Sequence, residues 1–168
     1  MARGIEAAPA VEPRKSASQV KIRKLWRDDL AAVVALDAHA TGVAKPDYWT
    51  ETFKRFVPPT ARRCAFAAQR DGALVGYVMG EVRSWEFGSP PCGWVFAINV
   101  TPEAREAGVG TKLLDAARAS FRKAGIKSLR TMVARDATLL LSFFRAEGMT
   151  AGPFVELEMP IGSAEEGA

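Results

Sequence analysis

The pattern of apolar and polar positions becomes regular at "VKIRKL" (20–25), where Val20 and Ile22 share one face of an alternating stretch and predict a short strand. The period then lengthens. In "DLAAVVALDAHA" (29–40), Leu30, Val33, Val34 and Leu36 form a helical stripe, with Asp28 or Asp29 placed to cap it. "DYWTETFKRF" (47–56) keeps helical spacing through Trp49, Phe53 and Phe56, and Pro58 and Pro59 end it. "CAFAAQ" and "LVGYVMGEV", joined at Asp71 and Gly72, predict a hairpin, and "WVFAINV" (94–100) a further strand beyond the loop "GSPPCG". A second amphipathic helix carries Val109, Leu113, Ala117, Phe121 and Ala124 on one face and stops at Gly125. "LRTMVA" (129–134) predicts a strand. "ATLLLSFFRAE" (137–147) predicts a helix apolar almost all round, ended by Gly148. A closing strand is expected in "FVELEMPI" (154–161), where Val155, Leu157 and Met159 alternate with Glu156 and Glu158. This order predicts one mixed α/β (α+β) layer, not a regular doubly wound alternation.

Composition narrows the picture. With 168 residues there is room for one domain with a sizeable core, expected over 20–161 between flexible tails at 1–19 and 162–168. No apolar run approaches the roughly 20 residues that cross a bilayer, and the first residues lack the apolar core of a signal peptide. A cytoplasmic protein is expected, with Cys64 and Cys92 as reduced, incidental thiols. A single histidine, His39, excludes a multi-histidine metal site, and no metal is expected. The net charge of +4 is too small and too dispersed to argue for nucleic acid, and suits an anionic small ligand at least as well.

The candidate chemistry lies in "EAREAGVGTKLL" (103–114). Small residues at the start of a helix let an anion approach amide N–H groups that have no intrahelical partner, at the positive end of the helix dipole. A P-loop requires GxxxxGK[ST], but here Gly110 precedes Thr111 and then Lys112, and Arg105 stands at the first glycine position. The dinucleotide fingerprint fails too, because Leu113 occupies the third glycine position and the loop after Val100 is long. What remains is a strand, then Arg-x-x-Gly-x-Gly, then an amphipathic helix.

In that arrangement the chain resembles the GNAT superfamily of acyl-CoA N-acyltransferases. "INVTPEAREAGVGTKLL" is similar to the family's [QR]xxGxG segment, and "ARDATLLLSFFRAEGM" to its buried-helix segment; the element order agrees from about Val20 to Ile161. The resemblance implies a GNAT-like, mostly antiparallel sheet of six to seven strands flanked by about four helices. It also implies a splayed strand pair that admits the pantetheine arm of acetyl-CoA, the acyl donor. Carried over, Ile98, Asn99 and Val100 would meet the arm. Arg105, Glu106, Ala107, Gly108, Val109, Gly110 and Thr111 would take the diphosphate. Asp136 would contact the cofactor or simply cap its helix, and Phe144 would pack near the thioester or simply in the core.

The implied reaction is direct attack of a primary amine on the thioester. A lysine-like amine is neutral in about one copy in 2,500 at pH 7, a cost of about 4.6 kcal/mol, so a base or a depressed amine pKa is expected. The chain departs from the family's pattern at two points. The usual tyrosine position holds Phe144, and the strand "GWVFAINV" carries no carboxylate. The nearest carboxylates in suitable places are Glu81, ending the preceding strand, and Glu86 in the loop after it; these are the candidate bases, with Tyr48 and His39 as weaker candidates. The acceptor is a protein amine or a small molecule. The loop "RSWEFGSPPCG" would wall a pocket, form a homodimer contact, or merely pack at the surface. A non-catalytic acyl-CoA-binding regulatory domain is the alternative function.

Overall fold

The computed structural model describes residues 19–161. The expected tails, but for Gln19, lie outside the described residues. Five strands form one sheet in the order β1 (Lys21–Lys24), β2 (Arg63–Arg70), β3 (Ala73–Arg83), β4 (Cys92–Val100) and β5 (Leu129–Arg130). The first four are antiparallel neighbours and β5 joins β4 in parallel, so the sheet is mostly antiparallel, as expected. Each strand from β1 to β4 pairs with the next in this order; short connections make the pairing of β2, β3 and β4 local, whereas β1 reaches β2 across two helices.

Helices α1 (Leu30–Thr41) and α2 (Pro46–Phe56) cover one face of the sheet, while α3 (Val109–Lys123) and α4 (Thr138–Ala146) cover the other. Two cores follow. Leu25, Val33, Trp49, Phe53, Tyr77 and Met79 pack beneath α1 and α2, and Val78, Val95, Leu113, Ala117, Phe121 and Phe144 pack beneath α3 and α4. Alternation along β3 sends Tyr77 and Met79 to one core and Val78 to the other. The sheet carries glycine where the Phe121 ring presses on it: a Cβ at Gly93 would lie 2.5 Å from that ring.

The alternation breaks once in β4. Met79 pairs with Ala97 and Gly80 with Val95, so Phe96 is an extra, unpaired residue. Such a bulge turns the strand's parity over. Val95 enters the core beneath α3, whereas Phe96 and Ala97 both pack toward α1 and α2.

Two strand expectations are corrected. "LRTMVA" contributes only Leu129 and Arg130 to the sheet, opposite Gly93 and Trp94. Past Trp94 the last link from β4 to this segment is a side-chain bond, from the Thr131 hydroxyl to the Val95 carbonyl at 2.8 Å. The closing strand does not form among the described residues: Val155, Leu157, Met159 and Ile161 are 80–99% exposed. Alternation alone does not make a strand; it needs a neighbouring edge to supply the ladder and a face to bury. With β5 ending at Arg130, that edge is missing. Only Phe154 is held, beneath the Arg130 guanidinium at 4.5 Å from its ring centroid. Among the described residues the sheet therefore has five strands, not six or seven.

Candidate active site

Where β4 and the chain after β5 part, a cleft of about 890 Å³ opens, running from the start of α3 to the space beneath α1 and α2. Its floor is β4. Thr101 donates its N–H to the Val75 carbonyl on β3, so the backbone groups of Val100 face the other way. The Val100 N–H is taken by Asn99 Oδ1 at 2.9 Å and its carbonyl by Arg105 Nε at 3.2 Å. Ile98, two residues back, shares this parity and lines the cleft.

At one end of the cleft stands α3. A 3-10 turn over Pro102–Ala107 leads to Gly108, whose φ of 65° and ψ of 22° turn the chain into the helix. No side chain caps α3. The first amides of the helix, at Val109, Gly110 and Thr111, lie within the turn that has no intrahelical acceptor. Arg105, Gly108, Gly110 and Thr111 line the cleft, whereas the Val109 side chain is in the core. The Thr111 hydroxyl donates to Glu147 Oε1 at 2.5 Å, linking α3 to the end of α4. Ala107 is exposed, and the side chain of Glu106 lies outside the described residues.

Across the cleft, Asp136 precedes α4 and lines the cavity. The residue at the N-cap is Ala137 and no side chain caps this helix, so Asp136 does not act as the plain cap. Phe144 is 4% exposed; it belongs to the core and borders the cleft.

The far end of the cleft holds a polar cluster. Asp37 on α1 is 7% exposed. Its Oδ2 accepts the Trp49 Nε1–H at 2.9 Å and is 2.9 Å from Lys45 Nζ. Tyr77, 2% exposed, stacks edge-on to Trp49 with centroids 5.4 Å apart, and sits opposite Asn99 in the β3–β4 register. Burial pushes the Tyr77 phenol well above its ordinary range, and the nearby Asp37 charge and Tyr48 add to the shift. Asn99 ties this cluster to α1 by donating from Nδ2 to the Leu36 carbonyl at 3.3 Å. Tyr48 also lines the cleft.

Glu81 and Glu86 are not brought to this cleft. Glu81 sits toward the opposite end of β3, 3.3 Å from Arg83 Nε and 3.9 Å from Arg55, beside a separate hollow with Thr60 and Arg63. Glu86 lies in an exposed 3-10 turn, and His39 is exposed near the end of α1. Asp37 and Tyr77 were missed as site candidates. The signal for Asp37 was present: it follows Val33 by four residues, so an acid falls on the buried stripe of an apolar helix.

Solved structures share this architecture. The aminoglycoside N-acetyltransferase AAC(6')-Iy in complex with CoA superposes with a TM-score of 0.76 at 18% identity, covering 89% of this chain and 100% of its own. The aminoglycoside 6'-N-acetyltransferase AAC(6')-Ih from Acinetobacter baumannii gives 0.72 at 18% identity, covering 86% of this chain and 100% of its own. A transcriptional regulator from Bacillus halodurans C-125 gives 0.70 at 18%, covering 85% and 100%. At such identities the likeness is one of fold. No curated protein matches significantly in sequence. The profile of the acetyltransferase (GNAT) family matches residues 25–148, which contain the four strands β2 to β5 and all four α-helices. The chain belongs to the acetyltransferase (GNAT) family.

Proposed function

We propose that the protein transfers the acetyl group of acetyl-CoA to a primary amine of a small molecule. The observation that carries this reading is the meeting, in one cleft, of uncapped amides at the start of α3 with the parting of β4 from β5. Acetyl-CoA supplies the thioester carbon. The N–H groups of Val109, Gly110 and Thr111, with Arg105 beside them, hold the diphosphate by dipole and charge. Ile98 offers backbone groups to the pantetheine arm, and Asn99, Asp136 and Phe144 border its path. Helices α1 and α2 close the far end, where a small acceptor fits better than a protein surface.

In the transfer the amine nitrogen bonds to the acetyl carbon as the carbon–sulfur bond breaks, and the proton lost by nitrogen balances the one gained by the CoA thiolate. Phe144 has no proton to give. Tyr48 and Tyr77 are the phenols on the cleft, and the raised Tyr77 keeps its proton throughout the physiological range. Asp37 is the buried carboxylate at the acceptor end, a place that neither Glu81 nor Glu86 reaches. The structural neighbours named as aminoglycoside acetyltransferases act on amines, which supports the same reaction class here.

The experiment is a CoA-thiol release assay over amino acids, peptides with free amines, polyamines and hydrophobic monoamines, beside calorimetric titration with acetyl-CoA. Uptake of acetyl-CoA and amine-dependent thiol release are expected. Absence of acetyl-CoA binding would end the reading, and binding without turnover across the panel would leave a regulatory acyl-CoA-binding domain.

A further inference from the structure

The acceptor end of the cleft has a chemical signature of its own. Its walls are mostly apolar or aromatic: Tyr48, Trp49, Tyr77, Phe96, Ala97 and Met132. The charged residues around the whole cleft are Asp37, Lys45, Arg105 and Asp136, two of each sign. Arg105 lies at the α3 end and Asp136 precedes α4, so the acceptor end keeps one carboxylate, Asp37, and one ammonium, Lys45.

Asp37 also has acceptor capacity to spare. Oδ2 takes both Trp49 Nε1 and Lys45 Nζ, while Oδ1 accepts no hydrogen bond among the described residues. Oδ1 is no sealed orphan, because Arg70 Nε is the one fully buried polar side-chain atom without a partner among the described residues; Oδ1 keeps contact with solvent, and Asp37 lines the cleft. Lys45 reaches it from the residue before α2 on a side chain 38% exposed, so its ammonium can leave for water at small cost.

We propose that Asp37 anchors the nitrogen of the acceptor, and that the acceptor is a primary monoamine with an aromatic or aliphatic body, not a polycation. This deepens the acetyl-transfer reading and rests on it. A single ammonium is matched by Oδ1, and the rest of the ligand meets the rings of Tyr48, Trp49 and Tyr77. A polycation would bring further ammonium groups to a region with no second carboxylate and with Lys45 already present, where like charges repel.

The test titrates the full chain with tyramine, spermidine and kanamycin by calorimetry, with and without CoA, and measures KM for each in the thiol-release assay. Tyramine should bind at least about tenfold more tightly than the two polycations, the discrimination expected of ring contacts together with repulsion between Lys45 and the additional ammonium groups. Asp37→Asn should raise the tyramine KM about tenfold or more while acetyl-CoA affinity stays within about twofold. Lys45→Met, at a partly exposed site, covers the case in which Asp37→Asn fails to fold. By removing the resident ammonium it should tighten tyramine binding several-fold, which a purely structural ion pair would not do. Preference for spermidine or kanamycin overturns the proposal, as does an unchanged tyramine KM in Asp37→Asn or unchanged tyramine binding in Lys45→Met. Tyramine binding without any acetyl-CoA uptake would remove the transfer reading and leave the anchor standing.

Discussion

Gly108 and Gly110 are both glycine for different physical reasons, and substitution separates them. At Gly108 the backbone is left-handed, with φ 65°, and a Cβ would meet nothing within 4 Å. The constraint is conformational, so Gly108→Ala carries the left-handed penalty of about 1–2 kcal/mol. Asparagine visits that region more readily, so Gly108→Asn recovers part of the loss. Gly110 is ordinary helix, but a Cβ there would lie 3.0 Å from Phe143 Cε2 and 3.3 Å from Cζ. Alanine gains about 1 kcal/mol of helix propensity there, against a ring that must give by a few tenths of an ångström. The two effects offset, leaving Gly110→Ala within about 1 kcal/mol of the parent. In a chain of 168 residues, 1 kcal/mol moves Tm by about 2–4 °C. Gly108→Ala should therefore melt about 2–8 °C lower, Gly108→Asn by less, and Gly110→Ala near the parent.

Acetyl-CoA binding should reverse the ranking if the start of α3 holds the diphosphate as proposed. Phe143 lines the cleft, so pushing its ring aside at Gly110 both narrows the cavity and shields the first amides of α3. The loss of one charge-assisted hydrogen bond corresponds to at least about tenfold in Kd. Thermal melts followed by circular dichroism, with acetyl-CoA titrations on the same samples, read both quantities. If Gly108→Asn melts as low as Gly108→Ala, conformation is not what selects glycine there. If Gly110→Ala binds acetyl-CoA as tightly as the parent, the start of α3 does not grip the diphosphate.

Gly80 adjoins the β4 bulge, and a Cβ there would lie 2.7 Å from the Trp94 carbonyl oxygen, a backbone atom that cannot step aside. Gly80→Ala should lower stability by about 1–3 kcal/mol in urea titrations, and an unchanged midpoint would refute the crowding argument. Burial alone would raise the Asp29 carboxyl, but its bonds from Arg23 at 2.7 and 2.8 Å and from the Trp26 N–H at 2.8 Å, with the Arg23 charge, hold it below the usual range. A depressed folded pKa stabilises above the unfolded value, so the gap between parent and Asp29→Asn should be full above about pH 5 and close as pH falls below about 4; a gap constant down to about pH 2 contradicts this. Burial pushes the Cys64 thiol up to about 12, and Cys92 is also buried, so iodoacetamide at about pH 8 should label neither in the folded protein and both in urea, as mass spectrometry reads it.

The fold was legible where pattern and partner agree. Strands β2 to β4 alternate against neighbours a hairpin or a short connection away, β1 finds its partner β2 across α1 and α2, and each helix shows an apolar stripe that the sheet then covers. "FVELEMPI" alternates as cleanly as β1, yet it stands free, because its pairing depends on an edge beyond Arg130 that the chain does not build. Periodicity records which side chains would share a face; it does not record whether anything lies opposite.

The site divides along the same line. Arg105, Gly108 and Gly110, proposed to hold the diphosphate, stand out in the sequence because an anion at a helix start would be met by consecutive residues, so the whole device would fit in one short stretch. The acceptor end is assembled from α1, the residue before α2, β3 and β4, and no local motif spans Asp37, Lys45, Trp49, Tyr77 and Asn99. Glu81 and Glu86, the bases expected from the sequence, lie on β3 and just beyond it. Their neighbourhood in the chain misleads because β3 is 11 residues long: Glu81 and Tyr77 share a strand but lie at different ends of its pairing with β4, beside Trp94 and Asn99 respectively. The informative trace was instead an acid out of phase with its own helix. Asp37 breaks the apolar stripe of α1 on its buried side, and such a break is tolerated when partners wait on other elements. Two of those partners share one of its oxygens, and the second oxygen is the place where the amine is expected.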